Sequence, residues 1–144
     1  MTEIERLIAL EDIFRLKGRR DRALDTRDWD TYCALHVPDH VSENEGEDPR
    51  RGAKENTDWV AKFLEGILTV HHSHTPEIVF DSPTTACGTW GMEDLLFDEQ
   101  SKRQLLHGFG FYHERYEKRD GEWLFCWRQL RRTLVLDYRQ PTGS

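Results

Sequence analysis

Three histidines fall within four residues, His71-His72-Ser73-His74, and one aspartate, Asp25, closes an amphipathic run near the start of the chain. A neutral imidazole accepts a proton near physiological pH, and a carboxylate behind it holds its tautomer and stabilises the imidazolium. These residue types therefore suit general-base chemistry, provided the fold brings them together. Strand alternation puts His72 and His74 on one face and His71 on the other unless a bulge intervenes. Zinc is the rival reading, since His107 or Glu93 adds a ligand to His72 and His74. No compact zinc-spaced motif is present, and no metal is expected. A plainer reading has Asp25 capping the next helix, in competition with Asp28, and the histidines bonding to neighbouring strands.

Further polar and aromatic groups have lining potential. Arg20 lies about one turn before Asp25, while Trp90, Glu93, His107, Tyr112 and Tyr116 sit inside long strand-like stretches. Gly108 and Gly110 share strand parity with Tyr112, Glu114 and Tyr116, and a glycine inside a strand marks close approach or a bend. No G-x-S-x-G elbow exists, and Cys33, Cys87 and Cys126 belong to no recognisable nucleophile motif. No glycine-rich phosphate loop follows a strand, which argues against nucleotide binding.

The elements that must position these groups follow from periodicity. Ile4, Leu7, Ile8, Ile13, Leu16 and Leu24 recur at helical spacing, predicting one helix from about Glu3 to Leu24. Asp28 reads as the N-cap of a short second helix through Trp29, Tyr32 and Leu35, stopped by Pro38. Residues 42–52 read as a short strand running into a loop. Trp59, Val60, Phe63, Leu64 and Ile67 mark a third amphipathic helix. Four strands are predicted over Thr69–Phe80, Thr85–Phe97, Leu105–Lys118 and Glu122–Leu136, with Asp120-Gly121 a strong hairpin signal. Helices followed by an antiparallel meander give an α+β fold, the helices packed on one sheet face. Strands this long curl, and a curled sheet with three helices on its concave side makes a cone with a mouth. Trp29, Trp59 and Trp123 are expected to anchor the core.

The chain of 144 residues is expected to form one domain, with 27 acidic against 20 basic residues and a net charge of −7. That balance argues against nucleic acid, whose phosphates need a basic face. No apolar run approaches the roughly 20 residues that cross a bilayer, and with no basic run ahead of an apolar core no secretory signal is expected. Three widely spaced cysteines without C-x-x-C fit reduced thiols, so a cytoplasmic location is expected.

Several segments together carry a family resemblance. They are Arg22-Ala-Leu-Asp25-Thr-Arg-Asp-Trp29-Asp, then Val70-His71-His72-Ser73-His74-Thr75-Pro76-Glu77-Ile78, then Thr85-Ala-Cys-Gly-Thr-Trp90, Leu106-His107-Gly108, and Tyr116-Glu-Lys-Arg-Asp120-Gly-Glu-Trp123. The chain resembles the SnoaL-like branch of the nuclear transport factor 2-like superfamily over nearly its whole length, residues 1–144 as a single domain. That resemblance implies a conical, cystatin-like α+β barrel, with three N-terminal helices on the concave face of a curved antiparallel sheet. It also implies a homodimer or higher homo-oligomer built through the outer sheet face. The pattern is similar to that of scytalone dehydratase and the lindane dehydrochlorinase, which pair an aspartate of the first helix with a histidine of the following strand. Carried over, Asp25 orients and His71 is the base, the register counted forward to Phe80 favouring it over its neighbours. Arg20 resembles a cationic position of the dehydrochlorinase. The second histidine of scytalone dehydratase falls near Trp90, so its role is missing or passes to His107 or Tyr112.

The resemblance thus implies a cofactor-independent lyase or isomerase acting on a hydrophobic, ring-bearing small molecule. Asp25, His71, Arg20, His107 and Tyr112 are the expected catalytic set, and His74, Trp90, Glu93 and Tyr116 the expected ligand contacts. A non-catalytic ligand-binding or dimerising module is the competing class. Epoxide hydrolysis, which needs an Asp-Arg-Asp set, ranks last.

Overall fold

A computed structural model describes residues 1–139. The first helix, α1 (Glu3–Asp25), begins with a reciprocal cap in which Thr2 and Glu5 bond each other's backbone N–H groups. Its buried positions, Ala9, Ile13, Leu16, Lys17, Arg20, Ala23 and Leu24, recur at three- and four-residue spacing, so one stripe faces the sheet. Ile4, Leu7 and Ile8 continue the apolar pattern but stand exposed. Asp28 caps α2 (Trp29–Ala34), accepting from the Thr31 backbone N–H.

The chain then departs from the expected order. β1 (His36–Ser42) comes earlier than the strand predicted over 42–52, and Pro38 lies within it instead of ending a helix. The proline sits where β1 pairing is irregular, between His36 and Val41, so its missing N–H costs no ladder bond there. After β2 (Arg50–Arg51) comes α3 (Ala53–Phe63), several residues earlier than the Trp59–Ile67 pattern suggested. Gly66, at φ 74°, turns the chain so that Ile67 opens β3 (Ile67–Ser82). β4 (Thr85–Asp98), β5 (Gln104–Arg119) and β6 (Glu122–Asp137) complete the meander as predicted, within about two residues at each end.

The six strands form a curved, unclosed sheet in the order β2-β1-β6-β5-β4-β3, with β1 running parallel to β6 and every other pair antiparallel. Ala9, Ile13 and Leu16 of α1 pack on Ala86, Tyr116, Trp123 and Phe125. A second cluster joins Ala23 and Leu24 to Tyr32 and Leu64, so all three helices cover the same sheet face. Of the three expected tryptophan anchors, Trp123 is buried and Trp29 packs partly buried at the second cluster. Trp59 is 40% exposed and stacks on Phe63 at 5.1 Å, a rim position and not a core one. Among the described residues no helix is long and apolar enough to cross a membrane.

Two bulges on the meander decide which side chains enter the cone. In β3, His74 pairs with Gly91 and Glu77 with Thr89, so Thr75 and Pro76 together oppose Trp90. Thr75 adopts φ 44° to do this. In β6, Phe125 pairs with Tyr116 and Trp127 with Arg115, leaving Cys126 as the extra residue. Each bulge inverts the in–out alternation beyond it.

Gly110 lies at a third irregularity, pairing with Arg132 while Phe109 pairs with Leu134. A Cβ there would fall 2.2 Å from the Arg131 carbonyl oxygen and 2.8 Å from the Arg132 Cα, both backbone atoms. Gly110→Ala is therefore expected to destabilise the fold by about 1–3 kcal/mol. Thermal unfolding against the parent chain measures it, and an unchanged midpoint would refute the close approach.

Candidate functional site

Asp25 is the last residue of α1, where a carboxylate meets the unfavourable end of the helix dipole. Three donors from β3 offset that. The Thr69 hydroxyl donates at 2.9 Å, the His71 backbone N–H at 2.9 Å, and His71 Nδ1 lies 2.7 Å from Oδ1. Asp28 caps α2, which leaves Asp25 free for the strand. A carboxylate only accepts, so the imidazole proton is on Nδ1 and the Nε2 lone pair is free. His71 Nε2 meets no protein partner among the described residues, and the ring lines a cavity of about 260 Å³. That volume sits just below the roughly 300–1,000 Å³ usual for small-molecule sites.

Apolar walls come from Leu24, Val60, Phe63, Leu64, Leu96, Leu106 and Leu130, and polar groups from Arg20, Arg50, Asn56, Asp94, Tyr112, Arg128 and Arg132. Arg20 is buried, donates to Asp21 at 2.9 Å and to the Tyr112 hydroxyl at 3.2 Å, and stacks on the Tyr112 ring. Burial pushes the Tyr112 phenol up to about 12, so it stays a neutral donor. Tyr112 and Arg20 thus line the same cavity as His71.

The other expected positions divide by strand parity. Trp90 and Tyr116 point to the concave side but lie deeper, in the core; the indole N–H donates to the Tyr116 hydroxyl at 2.9 Å, and neither lines the cavity. Glu93, His107 and His74 are corrections. His107 and His72 both bond Glu93 on the outer sheet face, at 2.8 and 3.1 Å, and the His74 ring lies over Gly91 against Thr75. Odd positions in β4 and β5 face away from the cone, because Trp90, Asp94, Tyr112 and Glu114 occupy the inward parity. No group of three or more His, Cys, Asp or Glu among the described residues is arranged to hold a metal ion.

Periodicity reasoning missed a buried charge cluster beside the cavity. Glu114 accepts from Lys17 at 2.7 Å, from Arg128 Nε at 2.9 Å and from the Tyr116 hydroxyl at 2.9 Å, all without solvent. Burial alone would raise the Glu114 carboxyl, but Lys17 and Arg128 more than offset it and hold it near 2. Burial pushes the Lys17 ammonium down to about 7. Behind Arg128 stand His36, 3.1 Å from its Nη1, and His40, bonded to Ser42. The available signal was in α1: Lys17 and Arg20 interrupt its apolar stripe at the buried spacing Ile13, Leu16, Lys17, Arg20, Leu24. Asp94 and Arg132, also missed, form a two-pronged ion pair at 2.8 Å on both prongs.

A model of the SnoaL-like domain matches residues 5–129, and the chain belongs to that family. Solved structures agree in fold. A candidate scytalone dehydratase from Novosphingobium aromaticivorans DSM 12444 superposes with a TM-score of 0.88 at 22% identity, over 97% of this chain and 94% of that one. A hexachlorocyclohexane dehydrochlorinase, LinA type 2, gives 0.85 at 19% identity over 99% and 100%. A cystatin-like protein of unknown function from Nostoc punctiforme PCC 73102 gives 0.68 at 20% identity over 92% and 93%. These structures share the fold of this chain.

The buried histidines set an acid limit on this architecture. Burial first, then the Arg128 charge, lower His40 to about 3 and His36 well below its ordinary value. Below about 6.5 the unfolded chain takes up protons that the folded chain refuses, so stability falls as pH drops from about 6.5 towards 3. Denaturant midpoints should decline across that range, and less steeply in His40→Gln. Equal slopes in the two proteins would show that His40 is not held neutral.

Proposed function

We propose that the protein is a cofactor-independent lyase or isomerase that removes a carbon-bound proton from a hydrophobic, ring-bearing small molecule. The observation that carries this reading is the free Nε2 of His71, facing the cavity while Nδ1 is held by Asp25. Nε2 accepts the proton, and the C–H electron pair moves towards an adjacent carbonyl to form an enolate. Asp25 stabilises the imidazolium that results. The Tyr112 hydroxyl, accepting from Arg20, keeps its own proton to donate to the enolate oxygen. Tyr112 with Arg20 takes the assisting role; His107 is on the wrong face for it. In an elimination the enolate expels a leaving group from the β-carbon; in an isomerisation His71 returns the proton to a different carbon.

Copies are proposed to associate through the outer sheet face, where Phe111, Leu134 and Leu136 stand exposed. Light scattering of the purified protein reports the assembly.

His71→Ala and Asp25→Asn are expected to keep the fold and reduce turnover by about 10²–10⁴-fold. A screen of cyclic enones and hydroxy-ketones by mass change and deuterium exchange supplies the assay. Full activity in both variants removes the dyad, and ligand binding without any exchange or turnover favours a non-catalytic binding module.

A further inference from the structure

The Asp94–Arg132 pair is not something the sheet requires. Asp94 is 4% exposed and stands on the concave face directly across from His71 in the β3–β4 register. Gly108 follows it in the same row on β5, and Arg132 reaches over that glycine from β6. A Cβ on residue 108 would fall 2.0 Å from Arg132 Nη1 and 2.4 Å from Asp94 Oδ1, so the pair fills the space a side chain would have taken. An ion pair here carries a desolvation cost that an apolar residue of similar volume would not, which makes it poor evidence for a stabilising role. Its position on the wall of the cavity that His71 also lines gives it another one.

Asp94 occupies two of the five N–H donors of Arg132. The remaining donors, including the Nε edge, meet no acceptor among the described residues, and Arg132 lines the cavity with its side chain 31% exposed. The side edge of a guanidinium matches a carboxylate with two parallel N–H···O bonds, while Asp94 holds the other edge in place. Elsewhere on the wall Asp21 behind Arg20 and Glu114 behind Arg128 do not line the cavity, while Glu47, 2.6 Å from Arg50, does. Five arginines against two carboxylates, Asp94 and Glu47, give the wall a cationic excess, in a chain whose net charge is −7.

Resting on the reading of the site as a proton-abstraction pocket, we propose that its substrate is a ring-bearing organic acid whose carboxylate is held by Arg132 on Asp94. That grip sets the ring against the apolar wall with a C–H bond turned to His71. Arg132 is then the residue that determines specificity, and Asp94 positions it.

Matched ligands test this by isothermal calorimetry: 2-naphthoate, cyclohex-1-ene carboxylate and 4-oxocyclohexane carboxylate, each against its methyl ester. The acids are expected to bind at least tenfold more tightly than their esters. Arg132→Met should abolish that preference while changing ester binding by no more than about twofold. Because Arg132→Met leaves Asp94 buried and unpaired, the double variant Arg132→Met/Asp94→Asn is measured beside it and should show the same loss in a stable fold. His71→Ala should keep the preference, so a failed dyad and a failed acid grip are told apart. If no acid in the set binds more tightly than its ester, including the case where nothing binds, the proposal is overturned. A preference that survives in the double variant overturns it equally.

Discussion

Glu114 is the group on which the interior is built. A carboxylate with essentially no solvent is tenable only when its oxygens are met by several charged or hydroxylic donors. Lys17 supplies one from α1, Arg128 one from β6 and Tyr116 one from its own strand. The three bonds lock the helix across the sheet, and they aim Arg128 along the cavity wall. Tyr116 passes the network on to Trp90, and Arg128 to His36, so the polar chain runs from the floor of the cone to β1. Mutual compensation is what lets these charges lie in a core otherwise made of Ile13, Leu16, Phe125 and Trp123.

Next to this cluster the helix ends, and the same economy of donors appears at Asp25. Its carboxylate meets no helix cap; it ties α1 to β3 through Thr69 and through both the backbone and the ring of His71. One residue thereby closes the joint between helix and sheet and orients the imidazole. The neighbouring Asp21 repeats the pattern one turn earlier, accepting from Ser73 and Arg20. Helix and strand are stitched by acidic residues at helical spacing to inward-facing residues at strand spacing. The free face of His71 then looks into a space lined by leucines and by guanidinium groups. That mixture suits a ligand with an apolar ring and a strongly accepting substituent.

Much of this was legible in the residues. The long helix, the four meander strands and the hairpin at Asp120-Gly121 follow from periodicity and turn chemistry, because the apolar pattern of each element reports the face it buries. The early position of β1 was not legible. His36-Val37-Pro38-Asp39-His40 has no clean alternation, and the parallel pairing that makes it a strand comes from distant β6, with His36 opposite Phe125, Val41 opposite Trp127 and Ser42 opposite Arg128. The outer-face position of Glu93, His107 and His74 is a matter of counting from an inward neighbour, and it becomes visible only once Trp90 and Tyr112 are known to be inside.

Composition and spacing by themselves determined that a carboxylate ends the first helix, that histidines cluster on the first long strand, and that helices cover one face of a curled sheet. Which histidine enters the cone was decided by the tertiary structure. Ile78 and Phe80 pack on the core, and simple alternation from them sends His72 inward and His71 out, so the count forward to Phe80 that accompanied the family resemblance does not by itself single out His71. The bulge at Thr75-Pro76 shifts the count by one and turns His71 to Asp25. The extra residue at Cys126 does the same on β6, turning Arg128 inward after Trp123 and Phe125. A bulge forms where two neighbouring strands must curve together around a packed interior. Its place is therefore set by contacts between distant segments, and a pattern read along one strand does not contain it.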